Sequence, residues 1–152
     1  MRIAIDAMGG DNAPLEIVKG TYLSAVENPD VDILLIGDKA KILEAFKEVE
    51  GEFPNNVKII HTNVKISMED DPMVVMKEKS DSSMAIGLSM LKENEADVFL
   101  SAGNTGALHV GSTLMVRKIK GVRRSAIATI LPFKTPILML DAGANPEVTE
   151  DI

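Results

Sequence analysis

The stretch Ala96-Asp97-Val98-Phe99-Leu100-Ser101-Ala102-Gly103-Asn104-Thr105-Gly106-Ala107 decides the fold. Val98 to Leu100 is an apolar run of strand type. Ser101 to Gly106 interrupts it with two glycines, an asparagine and a threonine, and Ala107, Leu108, Gly111, Leu114 and Met115 then recur at helical spacing. The order is strand, tight turn, helix N-terminus. The first turn of a helix carries backbone N–H groups without intrahelical partners, and its dipole adds roughly half a positive charge, so the turn suits an anion such as phosphate or carboxylate. Gly103 and Gly106 would let a ligand approach the backbone closely, while Ser101, Asn104 and Thr105 supply hydrogen-bonding side chains. The alternative is that Asn104 or Thr105 only caps its own helix.

Outward from this stretch the same device repeats. Ile3 to Ile5 is a short strand running into Asp6-Ala7-Met8-Gly9-Gly10-Asp11-Asn12, and Pro14 and Glu16 open a helix with Leu15, Val18, Tyr22 and Ala25 on one face. Val31 to Ile36 is a second strand, ended by Gly37-Asp38, and Ile42, Leu43, Phe46 and Val49 give the following helix its apolar stripe. Val57 to Ile60 forms a third strand, followed by a polar connection from His61 to Asp71 and a helical piece from Pro72. Asp81, Ser82 or Ser83 caps a helix through Met84, Leu88 and Leu91 that leads into the Val98 strand. Ser125 to Leu131 and Pro136 to Leu140 read as two more strands around the turn Pro132-Phe133-Lys134-Thr135, the second ending in Asp141-Ala142-Gly143-Ala144-Asn145.

Strands alternating with helices predict an α/β fold, a three-layer α/β/α Rossmann-like sandwich with a mainly parallel sheet and right-handed crossovers. Ligands of such sheets sit beyond the carboxyl ends of the strands, where the turns after Ile5, Ile36, Leu100 and Leu140 would converge. No Gly-x-Gly-x-x-Gly follows the first strand and no Gly-Lys-Ser/Thr P-loop occurs, so the usual support for nucleotide binding is absent.

Composition narrows the classes further. The 152 residues, 45% hydrophobic and 26% charged, suffice for one domain with a real core. Sixteen basic against twenty-three acidic residues leave a net charge of −7, which argues against a nucleic-acid surface and against general attraction to anionic lipid, so any anion site must be local. The absence of cysteine excludes disulfides, thiolate metal sites and a cysteine acyl-enzyme, and two histidines leave little for a metal centre. Met1-Arg2-Ile3-Ala4-Ile5-Asp6 has no signal-peptide core, and no run approaches the roughly 18 apolar residues of a membrane span, so a cytoplasmic protein is expected. His61 and His109 are expected to be structural or surface groups, and Met68, Met73, Met76, Met84 and Met90 to be mainly core packing.

Three motifs in order, Ile3-Ala4-Ile5-Asp6-Ala7-Met8-Gly9-Gly10-Asp11, Ser101-Ala102-Gly103-Asn104-Thr105-Gly106-Ala107 and Leu140-Asp141-Ala142-Gly143-Ala144-Asn145, resemble the acyl-acyl carrier protein:phosphate acyltransferase family of bacterial phospholipid synthesis. Gly37-Asp38, Ser82-Ser83-Met84 and Lys120-Gly121-Val122 with Arg124 fit the same pattern. The resemblance implies a fold like that of phosphotransacetylase and isocitrate dehydrogenase. It also implies formation of an acyl phosphate from an acylated carrier protein and inorganic phosphate, no cofactor, no metal and a homodimer. Family members are longer, so residues 1–152 would be the N-terminal part of a single acyltransferase domain, inactive alone, with any membrane contact made by a part not present. A phosphotransacetylase-like enzyme using acyl-coenzyme A and a non-enzymatic module binding a phosphorylated metabolite remain as alternatives.

The chemistry agrees with this residue inventory. Phosphate is its own nucleophile, so acyl transfer to it needs no cysteine and no serine triad; the protein must position the phosphate and offer donors to the developing oxyanion. Ser101, Gly103, Asn104, Thr105 and Gly106 are therefore the expected phosphate-binding residues. A carboxylate beside a phosphate repels it, so Asp6, Asp11 and Asp141 are expected to brace turns, with Gly9, Gly10, Ser82, Ser83, Gly143 and Asn145 in supporting positions. Arg117, Lys118, Lys120, Arg123 and Arg124 put five cations in eight residues, either a contact for an acidic carrier protein or a solvated helix C-terminus.

Overall fold

The computed structural model describes residues 1–123 and 125–143. Four parallel strands, β1 (Arg2–Asp6), β2 (Asp32–Gly37), β3 (Val57–His61) and β4 (Val98–Leu100), form one sheet in the order β3-β2-β1-β4. The register places Ile3 against Ile33 and Val98, and Ile5 against Leu35 and Leu100. Helices α1 (Leu15–Glu27), α2 (Lys39–Phe46), α3 (Ser83–Lys92) and α4 (Thr105–Gly111) supply the outer layers. A 3-10 turn at Pro72–Met76 precedes α3, and α4 runs on into a π-turn at Ser112–Val116.

Alternation along each strand divides the core. Ile33 and Leu35 of β2 point with Ala7 into a cluster with Val18 and Ala25 of α1 and Ile42 and Ala45 of α2. Ala4 and Ile36 face the opposite side, with Leu34, Ile86 and Phe99 packed around them. There Met84, Ala85 and Leu88 of α3 meet Val75, Ile66 and Ala107. A Cβ at Gly87 would lie 2.1 Å from Phe99 Cε2, so this glycine sets how closely α3 approaches β4. Ser82 is the residue that caps α3, accepting from Ala85 N at 3.3 Å. Asp38 caps α2 through Ala40 N and Lys41 N.

The three-layer parallel architecture is the expected one, but its last two strands are placed differently. β5 (Ala128–Leu131) and β6 (Ile137–Leu140) pair with each other, antiparallel, and not with the four-stranded sheet. A short connection between consecutive strands favours a hairpin, whereas joining a parallel sheet needs a crossover of a dozen or more residues. The turn at Asp141 and Gly143 therefore follows a strand of the hairpin and not a strand of the four-stranded sheet. Val98 and Leu100 are exposed along the open side of β4.

Candidate functional site

The turns after β1 and β4 are fastened to each other by one polar tie. Asp6, at 3% exposure, accepts from its own turn at Met8 N (3.0 Å) through Oδ1 and from the Ser101 hydroxyl (2.8 Å) through Oδ2. Ser101 Oγ in turn accepts from Gly103 N at 3.1 Å. The carboxylate thus orients the serine proton, and the serine oxygen orients the next loop amide. Gly9 fits against this tie: its absent Cβ would lie 2.7 Å from Asp6 Oδ2, 2.8 Å from Gly103 N and 2.9 Å from Ser101 Oγ. Gly10, at φ +104°, passes over Ala102 O. Asp11 is exposed and its carboxylate makes no hydrogen bond among the described residues, so the brace expected from three aspartates comes in the β1 turn from Asp6 alone.

Asn104 has a structural task on both ends of its side chain. Its Oδ1 accepts from Ala107 N at 3.0 Å, capping α4, and its Nδ2 faces the carbonyls of Ser67, Met68 and Asp70 at 3.1 to 3.3 Å. That loop is held in turn by Asp70, which accepts from Ser67 N and pairs with the Lys79 ammonium. The Lys79 hydrogen bond, with the Ser67 amide behind it, keeps the Asp70 carboxyl below the usual carboxylate range. Gly103 and Gly106 are also filled from within the protein: a Cβ on Gly103 would meet Gly9 Cα at 3.2 Å, and one on Gly106 would meet Pro72 Cγ at 2.8 Å. Close approach is indeed required at both glycines, by neighbouring chain rather than by space left open for a ligand.

The turn thereby presents a narrower set of groups than its sequence suggests. Ser101 is engaged with Asp6 and Gly103, and Asn104 with its cap and the 67–70 loop. The amides of Thr105 and Gly106, at the head of α4, have no hydrogen-bond acceptor among the described residues. Thr105 is exposed. Beside the turn, Ile5, Ile17, Gly20, Leu100, Ser101 and Ala102 line a largely apolar cleft of about 330 Å3 between α1 and the open side of β4.

The remaining candidates are not brought to this place. Ser82 and Ser83 are buried at the start of α3, Ser82 as its cap. Arg117, Lys118, Lys120 and Arg123 are exposed beyond the end of the π-turn, roughly 17 Å from Thr105 along the helix axis at 1.5 Å per residue. Arg124 and Asn145 lie outside the described residues. His61 Nδ1 accepts from Lys39 N at 3.2 Å, a structural task, and His109 is half-buried within α4. Of the methionines, Met84 is buried, whereas Met68, Met73 and Met76 are exposed on the polar connection and the 3-10 turn. Among the described residues no three His, Asp or Glu side chains gather as a metal site, and no helix is long and apolar enough to cross a membrane.

The sequence does not single out the 67–70 loop or Pro72 as parts of this site, because each reaches it across more than twenty residues of chain, and Lys79, which with Lys77 could stand in for basic residues expected near a phosphate, instead pairs with Asp70. The spacing of Asn104 does signal a cap; nothing local signals that its amide also holds a distant loop.

Residues 1–151 match the model of a family described as fatty acid synthesis protein. The chain is 48% identical over 148 residues to the phosphate acyltransferase of Thermoanaerobacterium thermosaccharolyticum, a match covering 97% of this chain and 43% of that protein. It is 44% identical over 152 residues to the phosphate acyltransferase of Caldanaerobacter subterraneus subsp. tengcongensis, covering 99% of this chain and 44% of the relative. The phosphate acyltransferase of Listeria monocytogenes is 45% identical over 149 residues, again with 97% of this chain and 43% of the relative covered. The chain thus spans less than half the length of the curated relatives it matches, and across almost all of its own length it belongs to the fatty acid synthesis protein family.

Proposed function

We propose that this chain provides the phosphate-holding part of an acyltransferase that makes acyl phosphate from an acylated acyl carrier protein and inorganic phosphate, for phospholipid synthesis. The observation that carries the proposal is the pair of unpartnered amides at Thr105 and Gly106, on a turn held rigid by Asp6 and Ser101, in a chain whose curated relatives are named phosphate acyltransferases. A phosphate oxygen attacks the thioester carbonyl carbon, the C–O bond forms as the C–S bond breaks, and the departing thiolate takes up a proton. The protein's work in that step is positioning and stabilising negative charge with oriented donors, which needs no cysteine. Ser101, Gly103 and Asn104 contribute by fixing the loop, Thr105 and Gly106 by meeting the anion, and the apolar cleft along Ile5, Ile17 and Leu100 receives the acyl chain. The donor's carrier protein, a homodimeric assembly and a cytoplasmic setting complete the proposal.

The part of the relatives that this chain does not match would supply the second wall of the crevice. Residues 1–152 alone should then bind inorganic phosphate without turning over. Titration with phosphate is expected to move the amide resonances of Thr105 and Gly106 first. Acyl phosphate, trapped with hydroxylamine, should form only when a chain carrying the missing part is added. Phosphate-induced shifts concentrated at residues 117–123, or none in 101–107, would overturn the proposal. Turnover by residues 1–152 alone would place all the catalytic groups within this chain.

A further inference from the structure

A second cleft, of about 280 Å3, opens at the far end of the α4 helix, and its lining is largely apolar, with the hydroxyls of Ser112, Thr113 and Ser125 and two cations. Leu91, Val116, Ile119 and Val122 form its walls, with Arg117 and Lys118 at the rim. Ile119 is 81% exposed and Val122 41%, although both sit in a loop that is built rather than frayed. Val122 N donates to Ile119 O at 3.0 Å, closing a β-turn with Gly121 at φ +97° in the third position, where a positive φ is required. The Lys118 ammonium reaches across the turn to the carbonyl of Arg123. Arg117 N donates to Ser112 O at 3.1 Å, so the rim is tied to the π-turn.

Charge singles this place out. The chain as a whole is at −7, yet Arg117, Lys118, Lys120 and Arg123 fall within seven residues. Neither Arg117 nor Lys120 has an ion-pair partner among the described residues. Proximity to the helix C-terminus accounts for Arg117 and Lys118 but not for Lys120, which lies past the last turn. Nor does it account for an isoleucine left four-fifths in water between cations. The volume is near the lower end of the ~300–1,000 Å3 of small-molecule sites, which suits one hydrocarbon chain and not two.

We infer that this cleft binds a single-chain acyl anion, with the hydrocarbon against Leu91, Val116, Ile119 and Val122 and the anionic head at Arg117 and Lys118. The site lies roughly 17 Å along the helix from the Thr105 turn and does not depend on the acyltransferase proposal. Its position on the same helix as that turn makes it a place where the level of free acyl anion can act on the protein without occupying the phosphate site.

The probe is dodecanoate, titrated below its micelle concentration and followed through the methyl resonances of Leu91, Ile119 and Val122. Saturable shifts at these methyls are expected, with no comparable response to dodecyltrimethylammonium or to inorganic phosphate. Arg117→Glu combined with Lys118→Glu should weaken dodecanoate by about tenfold or more, and Ile119→Ser by a comparable factor. All three positions are exposed, so folding is not at stake and is checked by circular dichroism. Shifts confined to Ile5, Ile17 and Leu100 would assign dodecanoate to the other cleft and overturn the inference. So would equal binding of the cationic amphiphile, or affinity unchanged by the charge reversal. Binding at these residues of vesicles rich in anionic phospholipid, or of an acidic carrier protein, with no response to dodecanoate would overturn it as well.

Discussion

Replacing Gly9 by alanine tests the tie between the β1 and β4 turns more directly than any change to the tie itself. The added methyl would stand 2.7 Å from Asp6 Oδ2, 2.8 Å from Gly103 N and 2.9 Å from Ser101 Oγ, and none of the three is the free end of a flexible side chain. Asp6 is anchored by Met8 N and Ser101, Ser101 by Asp6 and Gly103, and Gly103 by its backbone. The two turns must therefore separate. Overpacking of this kind costs about 1–3 kcal/mol, and loss of the serine bond to a buried carboxylate about 1.5–3 kcal/mol, so a total near 3–5 kcal/mol is expected. At about 2–4 °C per kcal/mol for a chain of this size, Tm should fall by roughly 6–20 °C. Gly20→Ala is the internal control: it sits inside α1 with no heavy atom within 4 Å of its Cβ position, and should stabilise by up to about 1 kcal/mol through helix propensity. Urea unfolding of both variants, followed by circular dichroism at unchanged m-value, reads the two signs side by side. A Gly9→Ala loss below about 1 kcal/mol would show that the turns can part without cost, and would refute the rigid brace assigned to Asp6 and Ser101.

Two further outcomes follow from the loop network. Asn104→Ala should cost about 2–3 kcal/mol by removing both the cap and the carbonyl tether, and Asn104→Asp, which keeps a capping oxygen but turns a carboxylate toward three carbonyls, should not recover it in urea titrations; a stabilising Asn104→Asp would void the tether. Because Lys79 and Ser67 N lower the Asp70 pKa in the folded state, the stability they confer is full above the ordinary carboxylate range and fades as pH falls through it. Amide exchange at Ser67 should accordingly accelerate below about pH 4 in the parent but show no such step in Asp70→Asn, and a matching step in both would discard the assignment.

The strand, turn and helix order around Leu100 and Thr105, the parallel sheet and the glycine-rich β1 turn were all legible in the sequence. Each rests on local spacing: apolar runs too short for helices, glycines and capping residues between them, and 3.6-residue periodicity after them. The same locality explains the misplacement of the last strands. Ala128–Leu131 and Ile137–Leu140 have strand composition, but whether a strand joins a sheet or folds back on its neighbour depends on a crossover and an available edge, which composition does not encode.

Residue types in the Ser101 to Gly106 turn pointed to an anion and could not say which atoms remain for it. Ser101 and Asn104 carry suitable donors, yet Asp6, ninety-five residues earlier, accepts the serine hydrogen bond, and the Ser67 to Asp70 carbonyls accept from the asparagine amide. Gly103 and Gly106 suit a ligand's approach equally well on paper, and it is Gly9 and Pro72 that occupy the approach. A hydrogen bond satisfied across the chain and a Cβ position filled by a distant element are properties of packing. Spacing along the sequence determined which elements form, and only the tertiary structure decided which of the turn's donors are already engaged and that the backbone amides of Thr105 and Gly106 are among those left to offer.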